Sequence, residues 1–264
     1  MRPVPRTKDL DWATQNWVFE LVDKPPLLGA EFAGRWIEMR RGRNRRALLR
    51  WPAAVFVPFV PCHGWEEMPS RQLDDAGLDL IFRAARTRNG WQDKPVPEAM
   101  FRAVYDLAKL APTNANSSPG RFVFVRSVQA KERLRPHLME MNVDKTMRAP
   151  CCVIVAYDTR FYDLLPKLFP SRDFRSGFAA NAALSEETAF RNGTLQGAYF
   201  LIAARSLGLD CGPMSGFNRK TLDAEFFPDG RWRSNFLCNI GYGSDETLFP
   251  RNPRLDFDEA CFVL

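Results

Sequence analysis

The chain is poor in histidine and lacks the paired cysteines that mark many redox and metal motifs. Only two histidines occur in 264 residues, His63 and His137, and they are far apart in sequence. None of the six cysteines forms a C-x-x-C pair. A zinc site and a Ser-His-Asp hydrolase are therefore poorly supported, and no metal is expected. If the chain is an enzyme, a bound cofactor is expected to supply the chemistry.

Long apolar runs are also missing. No stretch approaches the roughly 20 apolar residues needed to span a membrane, and the first residues lack the apolar core of a secretory signal. Cys151 and Cys152 open an apolar run, which predicts buried free thiols and a reducing, cytoplasmic location. The net charge of +6 is spread along the chain, so it argues only weakly for an acidic partner or a phosphate-bearing cofactor. Neither nucleic acid nor membrane is expected as a partner.

Residues 1–67 differ in composition from the rest of the chain. They contain five of the seven tryptophans, seven prolines and the basic run at 40–46. One interpretation is an arm that binds RNA or anionic lipid, since basic residues beside aromatic residues serve that purpose. The other is a poorly ordered extension, or upstream sequence translated from a misassigned start. Met68 opens a regular stretch, so we assign 1–67 to an extension and 68–264 to the functional domain.

From residue 74 onward, helical and strand patterns follow one another without strict alternation. Helices are predicted at 74–86, 97–108, 129–139, 183–207 and 218–227, and strands at 121–125, 151–158 and 235–243. The second helix is expected to bury Met100, Phe101, Val104, Leu107 and Ala108. The long helix places Leu195, Tyr199, Ile202 and Ser206 on one face. These patterns indicate an α+β fold.

A dense polar turn joins the second helix to the first strand of this region. Residues 110–124 read LAPTNANSSPGRFVF, in which two prolines bracket neutral hydrogen-bonding side chains. A polar loop held between two apolar elements tends to carry function. Asn, Ser and Pro are also the ordinary turn formers, so this turn alone does not identify a site.

Five motifs strengthen the functional interpretation of this turn. They are ARTRNGW at 85–91, APTNANSSP at 111–119, Asn142 with Lys145, GPMSGF at 212–217 and PRNPRL at 250–255. Together they resemble the FMN-dependent nitroreductase family. The similarity is closest to one branch, the malonic semialdehyde reductases of the Rut pyrimidine-degradation pathway, which share TRNGW, KERLRP, EETAFRN, LGLDCGPMSGF and NIGYG. The resemblance is collinear over about residues 68–264 and does not extend to 1–67.

The resemblance implies a nitroreductase-like mixed β-sheet flanked by helices. It also implies a homodimer that exchanges C-terminal tails and binds FMN at the subunit interface, with NADH or NADPH as co-substrate. The residues that it implies at the cofactor are Arg86, Thr87, Asn89, Pro112, Thr113, Asn114, Asn116, Asn142, Lys145, Pro213, Met214, Ser215, Gly216, Arg251 and Arg254.

The chemistry of these residues is consistent with the implied roles. The Arg86 guanidinium suits a phosphate, and a lysine such as Lys145 near flavin N1 and O2 would stabilise the negative charge of reduced flavin. The resemblance implies that backbone N–H groups of Ser215 and Gly216 face flavin N5. Taken singly, an arginine is more often a solvated surface charge, and a G-P dipeptide predicts a helix-ending turn.

Two departures from the family pattern concern charge. Ser215 stands where many members have Glu, which leaves the range of acceptors open. Asn252 stands where the family usually has Lys, and Arg251 is the expected substitute. GYGSDE at 241–246 begins like a dinucleotide fingerprint, but Glu246 occupies the place of the third glycine, so we do not predict a Rossmann site.

Three kinds of function remain open from the sequence. The branch implies reduction of malonic semialdehyde to 3-hydroxypropionate in uracil catabolism, with Arg175 or Arg191 binding the substrate carboxylate. An ion pair to a neighbouring carboxylate is an equally good explanation for Arg175. The alternative enzyme is a broad-specificity nitro or quinone reductase. A different class is a non-catalytic flavin-binding protein, or an interaction protein that uses the N-terminal arm.

Overall fold

A computed structural model of the chain describes residues 18–21, 37–41, 45–49 and 72–264. The chain divides into two compact units, residues 1–69 and 70–264. The first unit contains an antiparallel sheet of β1 Val18–Leu21, β2 Ile37–Arg41 and β3 Arg45–Leu49 in that order. The sequence patterns did not predict these strands. The remainder of 1–67, with His63 and Cys62, lies outside the described residues, so its assignment as an extension stays a prediction.

The second unit contains the remaining helices and strands. Its helices are α1 Asp75–Leu78, α2 Glu98–Ala108, α3 Val128–Leu134, α4 Glu140–Arg148, α5 Leu165–Leu168, α6 Arg175–Ala180, α7 Ala182–Ser206, α8 Arg219–Phe226 and α9 Phe257–Ala260. Its strands are β4 Gly90–Trp91, β5 Gly120–Val125, β6 Cys151–Asp158, β7 Asp210–Met214, β8 Trp232–Gly241 and β9 Gly243–Ser244. A π-helical turn, Asp79–Arg83, continues α1.

An antiparallel sheet of four strands, in the order β5-β6-β8-β7, forms the centre of this unit. All eight residues of β6 are buried, including the thiols of Cys151 and Cys152, as predicted. Helices α2 and α7 pack on one face of the sheet, and α3 and α8 pack on the other. A parallel bridge between Thr87 and Cys211 adjoins β7. The predicted α+β fold, a sheet flanked by helices, is confirmed.

Helix α7 packs on the sheet through small and polar residues rather than through large apolar ones. Its buried residues are Ser185, Thr188, Ala189, Asn192, Gly193, Gln196, Gly197, Phe200, Ala203 and Ala204. A methyl group on Gly193 would lie 2.9 Å from Cβ of Tyr157, so the missing side chain lets the helix approach β6. The opposite face carries Leu195 and Tyr199, which are exposed. Apolar spacing therefore identified this helix but not its buried face.

The buried face of helix α2 also differs from the predicted one, but at fewer positions. Phe101, Val104 and Ala108 are buried as predicted, and Met100 is half-buried against the core. Leu107 is 43% exposed, so the prediction that it is buried was wrong. Pro97 precedes the helix as its N-cap rather than forming its first residue. Both long helices thus present apolar side chains on surfaces that no described residue covers.

Gly197 gives a test of the close packing of α7. A methyl group there would lie 2.7 Å from Cε1 of Phe236 and 3.0 Å from Cγ1 of Val155. We expect Gly197→Ala to lower the free energy of unfolding by about 1–3 kcal/mol, because overpacking outweighs the gain in helix propensity. Urea denaturation followed by circular dichroism measures the change.

Gly177 in α6 is the matched control, because a methyl group there meets no atom within 4 Å. Gly177→Ala should leave stability unchanged or raise it by up to about 1 kcal/mol. Equal effects of the two substitutions would contradict the packing account.

Candidate functional site

The segment that begins the site, residues 86–92, crosses the ends of β7 and β8. The Arg88 backbone N–H donates to the Cys211 carbonyl at 3.0 Å, and the Gln92 N–H donates to the Tyr242 carbonyl at 2.8 Å. A methyl group on Gly212 would lie 2.6 Å from the Arg88 carbonyl oxygen. Glycine is therefore required where this segment contacts β7. The first predicted motif thus lies directly beside β7. Residues 212–214, which the sequence predicted as part of a helix-ending turn, belong to this strand, so the turn begins only at Ser215.

The turn at Gly216 is held by helix α4. The Gly216 carbonyl accepts hydrogen bonds from Nδ2 of Asn142 at 2.7 Å and from the backbone N–H of Met139 at 3.0 Å. Asn142 is buried, and a methyl group on Gly216 would lie 2.4 Å from its Nδ2. No hydrogen bond among the described residues uses the Gly216 backbone N–H as donor. That N–H is a suitable donor for an external ligand.

Lys145 lies one helical turn after Asn142 and is half-buried. Burial lowers the pKa of its ammonium group. No carboxylate among residues 72–264 forms an ion pair with it. A partly desolvated lysine without an acidic partner fits the negatively charged edge of a ligand. The structure therefore brings the predicted Asn142, Lys145 and Gly216 together.

Two buried polar residues fix α4 on the sheet, and sequence reasoning missed both. Nδ2 of Asn239 lies 3.2 Å from the Thr146 hydroxyl, which lies 3.7 Å from Sδ of Met214. Asn239 Oδ1 is buried without a partner among the described residues. The available signal was an asparagine inside the otherwise apolar run FLCNIG. Buried polar groups of this kind restrict a helix to one position on its neighbour.

The C-terminal basic motif reaches the end of the π-helical turn. Arg251 donates to the carbonyls of Arg83 and Ala85 at 2.7 and 2.9 Å, and Arg86 donates to the Phe249 carbonyl. Arg251 and Arg86 are thus brought to the same region. Arg254 is exposed and donates only to the carbonyls of its neighbours in sequence.

The other residues of the first motif have different surroundings. Arg88 pairs with Asp210 at 3.2 Å and with Asp245, so it links this segment to the sheet. Thr87 is exposed and Asn89 is half-buried, and neither side chain forms a hydrogen bond among the described residues. Both remain free to contact a ligand.

The polar loop after α2 has a strained backbone. Ala115, Asn116 and Ser118 have positive φ angles of 50°, 48° and 41°. Such angles cost free energy in non-glycine residues and persist only where surrounding contacts hold them. Here the Asn114 backbone N–H donates to Oδ1 of Asn192 at 2.8 Å, and Nδ2 of Asn116 donates to the Leu168 carbonyl at 2.9 Å. Helices α5 and α7 therefore hold this loop.

The loop and the Gly216 turn are not brought together within one chain by any hydrogen bond or ion pair of residues 72–264. Pro112 is exposed, and the Thr113 hydroxyl accepts from the Ser118 N–H at 3.1 Å, inside the loop. The predicted cofactor residues thus fall into separate groups. One surrounds Gly216, with Pro213 and Met214 at the end of β7, and a second lies on the loop. Arg86 and Arg251 form a third group at the end of the π-helical turn.

The two arginines predicted to bind a substrate carboxylate already have acidic neighbours. Arg175 lies 3.4 Å from Asp163, and Arg191 pairs with Glu187 one turn away on α7. All of these pairs lie on exposed or half-exposed surface. No described hydrogen bond or ion pair connects either arginine with the Gly216 turn.

Two exposed methionines that sequence reasoning did not single out lie at the start of α4, and one of them adjoins Gly216. Met139 is 56% exposed, and its Sδ lies 3.3 Å from the position of a methyl group on Gly216. Met141, in the first turn of α4, is 79% exposed. The described residues contain no cluster of side chains suited to a metal ion and no helix long and apolar enough to cross a membrane.

Comparison with known proteins gives consistent results. The model of the nitroreductase family matches residues 83–242. A Rhodopseudomonas palustris (strain TIE-1) protein, provisionally named NADH dehydrogenase/NAD(P)H nitroreductase, is 65% identical over 195 residues, which are 74% of this chain and 100% of that protein. A Burkholderia lata protein with the same provisional name is 58% identical over 191 residues, which are 72% of this chain and 98% of that protein.

Solved structures share the fold at lower identity. A provisionally named nitroreductase of Exiguobacterium sibiricum, crystallised in complex with FMN, is 17% identical with a TM-score of 0.63. The similarity covers 73% of this chain and 99% of that chain.

The unpaired Lys145 predicts a conflict between stability and ligand binding. Because burial lowers its pKa, the charged form destabilises the folded state below the folded-state pKa. We expect Lys145→Met to raise the Tm of the ligand-free protein at neutral pH. The advantage should shrink as pH rises through the folded-state pKa and disappear above about 10.4, the pKa of an unfolded lysine.

Thermal denaturation across this pH range measures the effect. Lys167→Met, at an exposed position of α5, is the control and should show little change. A Lys145→Met protein that is less stable than the wild type at neutral pH would contradict this interpretation.

Proposed function

The chain belongs to the nitroreductase family, and from this premise we propose that it is an FMN-dependent NAD(P)H oxidoreductase that reduces nitro or quinone compounds. The observation that carries the proposal is the half-buried Lys145, unpaired among the described residues, beside the Gly216 turn. Every proposed site residue lies within 68–264. We propose accordingly that residues 1–67 are an extension without a part in the reaction.

The residues present fit FMN. Arg86 and Arg251 supply positive charge for a phosphate at one end of the site, and Lys145 supplies positive charge at the other. When bound, FMN would accept a hydride from NADH or NADPH and pass it to the acceptor. The provisional names of the relatives include both NADH and NAD(P)H, so both nucleotides are candidate co-substrates.

The chain's own residues have separate tasks in this proposal. Asn142 holds the Gly216 carbonyl, which leaves the Gly216 N–H to donate toward flavin N5, with Ser215 beside it. The Lys145 ammonium stabilises negative charge that develops at N1 and O2. The Gly216 turn is held in place before any ligand binds, so little reorganisation of this donor is needed during the reaction.

The acceptor class follows from the surroundings of Gly216. Met139 offers an exposed thioether side chain there, and the exposed Met141 follows in the first turn of α4. Methionine adapts to irregular shapes and makes favourable sulfur contacts with aromatic rings. A planar nitroaromatic or quinone fits such a surface better than a small acid. This observation favours the broad reductase over an acid-specific enzyme.

Malonic semialdehyde is the second candidate acceptor. The sequence segments shared with the Rut-pathway reductases support it, and Arg175 or Arg191 would bind the carboxylate. Exposed ion pairs contribute only about 0–1 kcal/mol, so a substrate carboxylate could replace Asp163 or Glu187 at small cost. Uracil catabolism would then be the pathway.

A second copy of the chain would complete the site. We propose that the loop residues Pro112, Thr113, Asn114 and Asn116 contact FMN bound mainly by the other subunit. The exposed apolar residues Leu107, Leu110, Leu195 and Tyr199 on and beside α2 and α7 supply a surface for such a homodimer.

The C-terminal tail has a suitable place on the second copy. Strand β5 is an edge of the sheet, and a groove of about 1020 Å³ lies between it and α2. Arg102, Arg121 and Arg126 line this groove together with Glu98 and Asp106, and the exposed tail carries Asp258 and Glu259. The exposed Phe262 and Val263 would cover apolar groove residues such as Phe122 and Phe124.

The acceptor is tested by steady-state NADPH and NADH oxidation with the FMN-loaded protein. We expect kcat/KM for a nitroaromatic or a quinone to exceed that for malonic semialdehyde by at least about tenfold. Met139→Ala should raise KM for the nitroaromatic by roughly threefold to tenfold, because one adaptable apolar contact is lost.

A preference for malonic semialdehyde would support the second candidate instead, and Arg175→Ala or Arg191→Ala should then raise KM for it. Flavin that binds but is not reduced by either nucleotide would indicate a non-catalytic binder.

The tail exchange is tested by deletion of residues 257–264. We expect the full chain to sediment as a dimer. The dimer of the truncated chain should have a dissociation constant at least about tenfold higher, because the tail no longer occupies the groove. Analytical ultracentrifugation across a concentration series measures this difference. Identical dissociation constants for the two chains would rule out exchange of the tail.

A further inference from the structure

Trp91 connects two parts of the proposed site, the segment that carries Arg86 and helix α4. The family resemblance implies no separate role for it. It ends the segment that carries Arg86, and its side chain is half-buried. Its indole N–H donates to the backbone carbonyl of Lys145 at 3.0 Å. A single side chain thus connects the segment proposed to bind phosphate with the residue proposed to bind the flavin ring.

The Trp91 ring packs on two neighbouring strands of the sheet. A methyl group on Gly212 would lie 3.4 Å from its Cζ2, and one on Gly241 would lie 3.2 Å from its Cε3. These glycines belong to the neighbouring strands β7 and β8. Strand β4 pairs Trp91 with Gly243, which holds the backbone as well. The indole N–H therefore has a defined position relative to the sheet.

The hydrogen bond from Trp91 restrains helix α4 at one position, the backbone of Lys145. Asn142 and Thr146 already attach the helix to the Gly216 turn and to Met214. The Lys145 carbonyl also accepts the Ala149 N–H at 3.2 Å, so the helix keeps its own hydrogen bond without the indole. The contact from Trp91 adds a restraint on the backbone of Lys145 itself.

We propose that Trp91 is a positioning residue that places the Lys145 ammonium group against reduced flavin. This inference rests on the proposed function. No described carboxylate fixes the Lys145 side chain, so the position of its backbone determines where the ammonium group can reach. Trp91 fixes that position from outside the helix.

The proposal makes a distinction between the two oxidation states of FMN. Reduced flavin carries the negative charge that Lys145 stabilises, and oxidised flavin does not. Loss of the indole N–H should therefore weaken binding of reduced FMN more than binding of oxidised FMN. A merely structural role of Trp91 would weaken both forms equally and leave the midpoint potential of the bound flavin unchanged.

The test uses the full chain with Trp91→Phe, which keeps an aromatic ring on Gly212 and Gly241 and removes the donor. We expect the Kd for oxidised FMN to change by less than about twofold. The Kd for reduced FMN, measured anaerobically, should rise about threefold to tenfold, the range of one hydrogen bond. The midpoint potential of the bound flavin should become more negative accordingly.

Tyr242→Phe is the matched control. Tyr242 connects β8 and β9, and its ring faces Lys94 at 3.8 Å, but its hydroxyl forms no hydrogen bond among residues 72–264. This variant should keep the wild-type midpoint potential. If Trp91→Phe does not fold, as judged by circular dichroism, Trp91→Tyr replaces it, since it also lacks the indole donor.

Lys145→Met provides the reference for the lost charge. In a Lys145→Met background, Trp91→Phe should cause no further change in midpoint potential, because the group that it positions is gone. An equal weakening of both FMN forms by Trp91→Phe, an unchanged midpoint potential, or full additivity with Lys145→Met would overturn the inference. Wild-type protein that binds no FMN would overturn the proposed function and this inference together, whereas normal FMN binding with an unchanged Trp91→Phe potential overturns the inference alone.

Discussion

The hydrogen bond from the buried Asn142 to the Gly216 carbonyl is the contact on which the site depends. It holds the peptide that joins Gly216 to Phe217 and attaches α4 to the turn that follows β7. A larger residue at position 216 would displace it, since a methyl group there would lie 2.4 Å from Asn142 Nδ2. The position of Lys145 follows from it, because Asn142 and Lys145 share one helical turn. A half-buried cation without an ion pair among the described residues and a free backbone donor thus come from one local arrangement.

Other glycines also allow neighbouring backbone and side-chain atoms to lie close to the chain. Gly212 admits the Arg88 backbone, Gly241 admits the Trp91 ring, and Gly193 and Gly197 bring α7 onto the sheet. These contacts place large apolar side chains of α2 and α7 on the outside. The resulting exposed surface is consistent with a second subunit, which would also bring the strained loop at 112–118 to the Gly216 turn.

Sequence reasoning predicted the elements and motifs better than the contacts between them. Periodicity located α2, α7 and the strands β5, β6 and β8, because buried β6 and the capped α7 have strong local patterns, but it missed β7. It misplaced Leu107, since periodicity cannot separate a core face from a surface left for another subunit. It also missed Asn239 and Thr146, whose meaning depends on a packing partner 93 residues away in sequence. Trp91 was visible only as part of a motif.

Anaerobic reduction of the FMN-loaded wild-type protein by NADPH or NADH tests the central claim most directly. The account predicts that the protein binds FMN, that either or both nucleotides bleach the flavin absorbance in a single-turnover reaction, and that adding a nitroaromatic or quinone restores it. Protein that fails to retain FMN, or that binds FMN without any reduction by either nucleotide, would contradict the assignment of the Gly216, Asn142 and Lys145 arrangement as a redox site.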